Sequence, residues 1–302
     1  MYEAFFGLRE PPFSLTPDTG YFFGFRAHER ALEVLLHAVR NGEGFIKITG
    51  EVGTGKTLIC RKLLRSLGDE CVTAFIPNPA LSPEGLRQAL GRELGLASDQ
   101  QDSHELLHQI QRCLVDFARE RKRVVLCIDE AQTLSDEGLE AVRLLTNMET
   151  EKLKLLQVIL FAQPELDQRL QGMELRQLQQ RISFDYCLEP LDRDAVDSYV
   201  SHRLSVAGYQ GERLFSAGAI RRLHRCSGGI PRLINVIAHK ALMVAYGRGQ
   251  RRIGPREIQR AADDTAGARR PRGRGWLLWG LGAPGVALAS VAGALAYVGG
   301  WP

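Results

Sequence analysis

Hydrophobic residues recur along this chain in two rhythms. Between residues 28 and 190, short unbroken apolar runs alternate with stretches whose apolar positions fall three and four apart; beyond Leu191 only the second rhythm persists. The runs predict strands at residues 45–49, 71–78, 123–130, 155–162 and 182–188. Because the central runs are continuous rather than alternating, both faces of their strands must be covered, which predicts a parallel sheet with helices on both sides. The spaced stretches predict helices at 28–41, at 58–67, at 83–94 from Pro83, at 103–119, at 139–148 and at 165–180. Four further helices, at 192–207, 216–226, 231–246 and 255–264, form a small all-α unit. Residues 1–27 are aromatic and broken by Pro11 and Pro12, so they cannot make a long helix. They are predicted to lie as an extended arm on the domain that follows, either to cover a bound base or simply to pack. The resulting plan is an arm (1–27), an α/β domain (28–190), a helical domain (191–264), a basic linker (265–275) and an apolar segment (276–298).

Composition adds little until the end of the chain. The apolar (44%) and charged (25%) fractions are ordinary for a globular protein, and a net charge of +4 is too mild to imply nucleic acid. The cysteines at 60, 71, 113, 127, 187 and 226 have no C-x-x-C spacing, which predicts reduced, buried, structural thiols in a cytosolic body. The opening MYEAFFGLRE has neither the basic start nor the long apolar run of a signal peptide, so none is expected. Residues 275–302 carry no charge, and 276–298 is long enough to cross a bilayer as one helix. Trp276, Trp279, Tyr297 and Trp301 lie near its ends, and Arg269, Arg270, Arg272 and Arg274 precede it. By the positive-inside rule this predicts a single-pass anchor in the inner (cytoplasmic) membrane, with the body in the cytoplasm.

The candidate chemistry sits at the ends of two predicted strands. GEVGTGKT, from Gly50 to Thr57, meets every fixed position of G-x-x-x-x-G-K-[ST] between a strand and a helix. Backbone N–H groups of such a loop wrap a phosphate at a helix start, so Gly50, Gly53, Thr54, Gly55, Lys56, Thr57 and Leu58 are the predicted nucleotide contacts. Lys56 would reach the β/γ-phosphates and Thr57 would hold Mg²⁺. RVVLCIDE places Asp129 and Glu130 at the end of a buried strand, where open α/β sheets bind ligands. Asp129 would complete the Mg²⁺ shell, and Glu130 would act as general base or orienter for the attacking water. Gln163 ends the next strand in position to sense the γ-phosphate or that water. Arg232, in the first turn of a helix after Ser227-Gly228-Gly229, opposes the helix dipole, which suggests that it faces a ligand or an acid. His104 and His108 have metal-ligand spacing without a third ligand nearby, so a solvated helix face is expected there.

In this order and combination, MYEAFFGL, PPFSLTPD, GEVGTGKT, CIDEAQ, LLQVILFAQPEL, LRQLQQRI and SGGIPRLIN resemble the AAA+ ATPases. More narrowly they are similar to the ExeA/GspA-type ATPases of bacterial secretion and the related MshM-type ATPases of a type IV pilus system. The resemblance covers roughly residues 1–262. It implies an AAA+ P-loop domain followed by a small helical lid, with ATP and Mg²⁺ as ligands. It also implies roles: Lys56 and Thr57 as Walker A residues, Asp129 and Glu130 as the Walker B pair, Gln163 as sensor 1 and Arg232 as sensor 2. Arg181, ahead of Arg176, would be an arginine finger donated to the neighbouring subunit of a homo-oligomer. Longer members carry a peptidoglycan-binding domain beyond the membrane helix. This sequence ends a few residues after Val298, so a membrane-embedded or cytosolic partner is expected to relay the work.

The expected function is therefore a membrane-anchored ATPase that drives or licenses assembly of a secretion or pilus complex. Two alternatives share the same core. A DNA-associated AAA+ helper of transposition or replication would use Arg221, Arg222, Arg225, Arg248, Arg251, Arg252 and Arg256 as a basic surface. No base-reading module is evident, and weak DNA binding at most is expected. A nucleotide-dependent switch with little turnover is the other; the complete Lys56, Asp129 and Glu130 set argues against it.

Overall fold

The computed structural model describes residues 1–15, 19–21, 23–24, 26–97, 103–149 and 153–269. The predicted apolar segment 276–298 and linker residues 270–275 lie outside the described residues. Among the described residues no helix is long and apolar enough to cross a membrane.

Five strands, β1 (Phe45–Gly50), β2 (Cys71–Ile76), β3 (Arg123–Ile128), β4 (Leu156–Ala162) and β5 (Phe184–Leu188), form one sheet in the order β2-β3-β4-β1-β5. Every pairing is parallel. The strand period of two divides each apolar run between two cores. Val124, Leu126 and Ile128 face one side with Leu86, Leu90, Leu106 and Ile110. Val125 and Cys127 face the other with Leu35, Ile59 and Leu63. The first side is covered by α4 (Pro83–Glu93), α5 (Ser103–Arg119) and α6 (Asp136–Leu145), and the second by α2 (Arg26–Arg40) and α3 (Lys56–Ser66). Register fixes the working edge: Thr49 pairs with Ala162, Gly50 with Leu188 and Ile128 with Leu160. The residues just past β1, β3 and β4 therefore emerge side by side.

Several predicted boundaries move for local reasons. β2 ends before Pro77, which cannot donate to a ladder. α6 starts earlier than predicted because Ser135 caps it, its hydroxyl accepting from Gly138 N–H at 3.1 Å. The helix predicted at 165–180 is two short ones, α7 (Glu165–Leu170) and α8 (Arg176–Gln179), interrupted at residues 171–174, all four of which are exposed. The cysteines divide: Cys60, Cys127 and Cys226 are buried, Cys71 and Cys113 half-buried, and Cys187 exposed on the edge strand β5, so the expectation of buried thiols holds for only three. His104 and His108 are both exposed on α5. Among the described residues no three His, Cys, Asp or Glu side chains gather as a metal-ligand cluster.

The helical domain consists of α9 (Arg193–Val206), α10 (Ala217–Ser227), α11 (Pro231–Gly247) and α12 (Pro255–Asp263) around its own core. Leu188 belongs to the sheet core and Leu191 to the helical one. The N-terminal residues depart most from expectation. They are not an extended arm on the α/β domain. They begin with a turn of helix, α1 (Glu3–Phe6), and bury Tyr2, Phe6, Leu8 and Phe13 in the helical domain's core. Tyr2 Oη bonds His239 Nδ1 at 2.8 Å, Arg9 N–H donates to Ala207 O at 2.8 Å, and Phe13 meets Phe215 edge-on at 5.9 Å. A four-helix unit this small has little core of its own, and the aromatic arm enlarges it. Phe13, only 2% exposed, anchors that contact. Phe13→Ala is expected to cost about 3–5 kcal/mol in urea unfolding followed by circular dichroism. A loss below about 1 kcal/mol would mean that the arm is not part of this core.

Candidate nucleotide site

The loop between β1 and α3 turns because two glycines take the left-handed backbone, Gly53 at φ 83° and Gly55 at φ 105°. Each is also close-packed. A Cβ on Gly53 would sit 2.4 Å from Arg232 Cβ, and one on Gly55 3.2 Å from His28 Cε1. Thr54 is buried, and its hydroxyl donates to Glu51 O at 2.8 Å. From α2, His28 donates through Nε2 to Thr54 O at 2.9 Å; burial lowers its pKa, against the opposing pull of its backbone acceptors. His28 thus holds the back of the loop as a neutral donor.

Lys56 is 5% exposed, and its ammonium donates to Gly50 O at 2.6 Å and Glu51 O at 3.1 Å. That uses two of three N–H donors and leaves one for a phosphate oxygen. Burial lowers its pKa, while the charges of Glu130, Asp129, Glu51 and Glu165 resist. The next residue, Thr57, is hydrogen-bonded to the Asp129 carboxylate. Asp129, 3% exposed, has its pKa raised chiefly by burial. A buried carboxylate beside a hydroxyl, with its charge incompletely compensated, is the oxygen pair a hard divalent cation takes. The residues present fit Mg²⁺ at Thr57 and Asp129.

Glu130 follows β3 in the left-handed conformation at φ 52°, an uncommon state for a residue with a side chain. The strain aims its carboxylate across the edge toward β4. There Oε2 accepts from Gln132 Nε2 at 2.6 Å and from Gln163 Nε2 at 3.0 Å. Gln132 is itself fixed: its Oε1 accepts from Gln163 N–H at 3.0 Å, and its carbonyl accepts from Arg169 at 2.9 Å. Burial would raise the Glu130 pKa, but the two amide donors and the Lys56 charge outweigh it and hold the carboxyl below its ordinary value. Glu130 therefore stays ionised to lower pH than an ordinary carboxyl does. Gln132→Leu removes one donor to the charged form, so the acid limb of a turnover profile is expected to move to higher pH. An unchanged limb would remove Gln132 from the control of Glu130.

The helical domain closes the cleft, about 350 Å³ in volume. Arg232 is exposed at the start of α11, lines this cleft, and its N–H donates to Gly53 O at 3.2 Å. The hinge beneath it is tight. Leu191 N–H donates to Gly229 O at 2.9 Å, and a Cβ on Gly229 would lie 2.1 Å from Leu191 O. The far wall is a polar network that sequence reading missed. Arg203, buried, donates to Pro12 O at 2.5 Å and to Tyr199 Oη at 3.0 Å, and lies over the Tyr21 ring at 4.5 Å. Tyr199 Oη donates to Asn235 at 3.0 Å. Through Ser14, Tyr21 and Phe23 the arm thus forms part of the cleft wall. Of the predicted site residues, Gly53, Thr54, Gly55, Lys56, Thr57, Leu58, Glu130 and Arg232 line this cleft, with Gly50, Asp129 and Gln163 bonded to them from behind. Arg181 does not line it. It lies half-buried after α8, close enough to Glu140 and Glu149 to lower both carboxyls slightly, although hydrogen bonds to Arg143 and Lys154 do most of that.

Residues 39–170 match the model of the AAA domain family. Residues 39–170 carry an AAA domain, and the fold around them is that of an AAA+ ATPase. Among solved structures, this AAA+ chain is similar to Cdc6p of Pyrobaculum aerophilum (TM-score 0.63, 19% identity, 83% of this chain and 69% of that one). It is also similar to the ORC1 protein of Aeropyrum pernix, solved in complex with DNA (TM-score 0.62, 17% identity, 85% of this chain and 69% of that one). At such identities the likeness is one of fold. In sequence, it is 44% identical over 303 residues to General secretion pathway protein A of Aeromonas hydrophila, covering 100% of this chain and 53% of that protein. This AAA+ chain therefore spans about half the length of that relative. Family and fold are consistent with ATP hydrolysis.

Proposed function

We propose that this chain is the ATP-hydrolysing body of a membrane-anchored machine that drives or licenses assembly of a secretion or type IV pilus complex. The observation that carries the enzymatic half is the meeting at one sheet edge of the Thr57–Asp129 pair and the doubly held Glu130 carboxylate, beneath Arg232. Bound at Thr57 and Asp129, Mg²⁺ supplies charge neutralisation for the phosphates. Lys56 and the loop amides hold those phosphates, and Glu130 takes the proton of the attacking water or orients it. Arg232, on the closing domain, reads the γ-phosphate. The polar wall around Arg203 and the arm covers the base. The biological half is supported by the secretion-pathway relative and by the four arginines ahead of the apolar segment 276–298.

The oligomer is supported by the position of Arg181, outside its own cleft at the end of a short surface helix. Arg181→Ala subunits should be inactive alone and regain turnover when mixed with Lys56→Ala subunits, which lack the phosphate contact but supply Arg181. A trans finger contributes about 10³–10⁵ in rate, so rescue is measurable at every mixing ratio near equality. If no ratio restores phosphate release, Arg181 is not the finger.

A further inference from the structure

Four surface cations of the helical domain sit in ion pairs. Arg213 pairs with Asp197, Arg252 with Glu212, Arg248 with Glu257 and Lys240 with Asp264. One face differs. Arg221 and Arg225, one turn apart on α10, are both exposed, as are Arg256 and Arg260 on α12 and Arg269 beyond it. None of these five makes an ion pair among the described residues. A Cβ on Gly218 would lie 3.7 Å from Pro255 Cδ and 3.8 Å from an Arg221 terminal nitrogen, so the start of α12 adjoins α10 there. At the other end of α10, Arg269 N–H donates to Cys226 O at 2.7 Å, and the Arg269 guanidinium lies over Gly228. α10 itself contains no acid; Asp263 on α12 is the one carboxylate whose charge reaches Cys226.

The hydrogen bond of Arg269 decides what this face meets. It pins the root of the run Arg269, Arg270, Arg272, Arg274 to the end of α10, and that run leads directly into the uncharged residues 275–302. We infer that the α10 face is a docking surface for an anionic phospholipid bilayer, with Arg221, Arg225 and Arg269 seated among lipid phosphates. Basic residues next to a membrane segment are attracted to anionic headgroups, each by about fivefold in affinity, within roughly a Debye length. Docking would orient the ATPase with its α10 face to the membrane instead of leaving it tethered by a linker alone. The inference takes its choice of a lipid surface, over nucleic acid, from the anchored reading proposed above.

The test separates the two. The described cores of both domains are built from residues between Tyr2 and Ala268, so a chain ending at Arg274 keeps them and loses the apolar segment. This shortened chain should sediment with vesicles of phosphatidylcholine plus phosphatidylglycerol, not with phosphatidylcholine alone, and high salt should release it. Arg221→Glu with Arg225→Glu should weaken that association by at least about 25-fold while ATP turnover in solution is unchanged, which shows that the variant is folded. Equal association with both vesicles, or no effect of the double variant, overturns the docking surface. Tighter binding to duplex DNA than to anionic vesicles overturns it in favour of nucleic acid. The full-length chain on phosphatidylcholine vesicles reports the anchor independently: salt-resistant association there supports the anchor whatever α10 does.

Discussion

Lys56→Ala lowers ATP affinity by about 10- to 150-fold, because it deletes a buried, charge-assisted donor, worth about 1.5–3 kcal/mol per hydrogen bond to a charged group. The structure shows why no neighbour substitutes. His28 is committed to Thr54 O, and Arg232 approaches from the other domain. The two carbonyls that Lys56 now satisfies, Gly50 O and Glu51 O, would be left facing the phosphate site and add repulsion. Folding should be little affected, since Gly50 and Ile59 remain packed in the sheet core and the loop keeps its Thr54–Glu51 turn. Titration with a fluorescent ATP analogue checks this directly, and unchanged affinity would remove Lys56 from the phosphate site.

Glu130→Gln has the opposite profile: binding is kept and turnover falls by about a hundred- to ten-thousand-fold, the range for loss of a positioned base. The amide is nearly the same shape, so the left-handed backbone at φ 52° and the contacts to Gln132 and Gln163 can largely persist. Only the capacity to accept a proton is lost. The pH dependence carries a second sign. A base whose pKa is held below the ordinary carboxylate value keeps its activity to lower pH than an unperturbed carboxylate would, so the acid limb lies on the acidic side of the ordinary value. Phosphate release and nucleotide binding measured on the same preparation separate the two halves. A variant that turns over normally would mean that Glu130 is neither base nor orienter.

The sheet was readable because continuous apolar runs such as VVLCI and VILF leave a strand no exposed face, and the two strand-end motifs mark one edge of it. The phosphate loop was readable because its spacing is a backbone requirement: Gly53 and Gly55 both need positive φ and both meet another side chain. What escaped is what depends on distant partners. The aromatic arm announces that it will be buried, but nothing in Tyr2, Phe6 or Phe13 says against which domain. Arg203 meets Pro12 across 191 positions of sequence, and at its own position it reads as an ordinary helix-surface arginine. His28 was visible only as the start of a helix. Gln132 had a weak signal in the DEAQ stretch, two residues past Glu130, but its role as a donor to that carboxylate depends on the left-handed turn at Glu130. The helix predicted across 165–180 failed because Gln171, Gly172, Met173 and Glu174 are all exposed between the buried Leu170 and Leu175, and the chain turns there at Gly172.

The central claim is that this cleft hydrolyses ATP in an assembly of several subunits. The most direct measurement is phosphate release by the full-length chain with ATP and Mg²⁺, followed across protein concentration. Turnover per subunit that rises with concentration, and vanishes on removal of Mg²⁺ or in Lys56→Ala, is the result predicted here. ATP bound tightly at every concentration with no phosphate released would contradict it and make the chain a nucleotide-dependent switch.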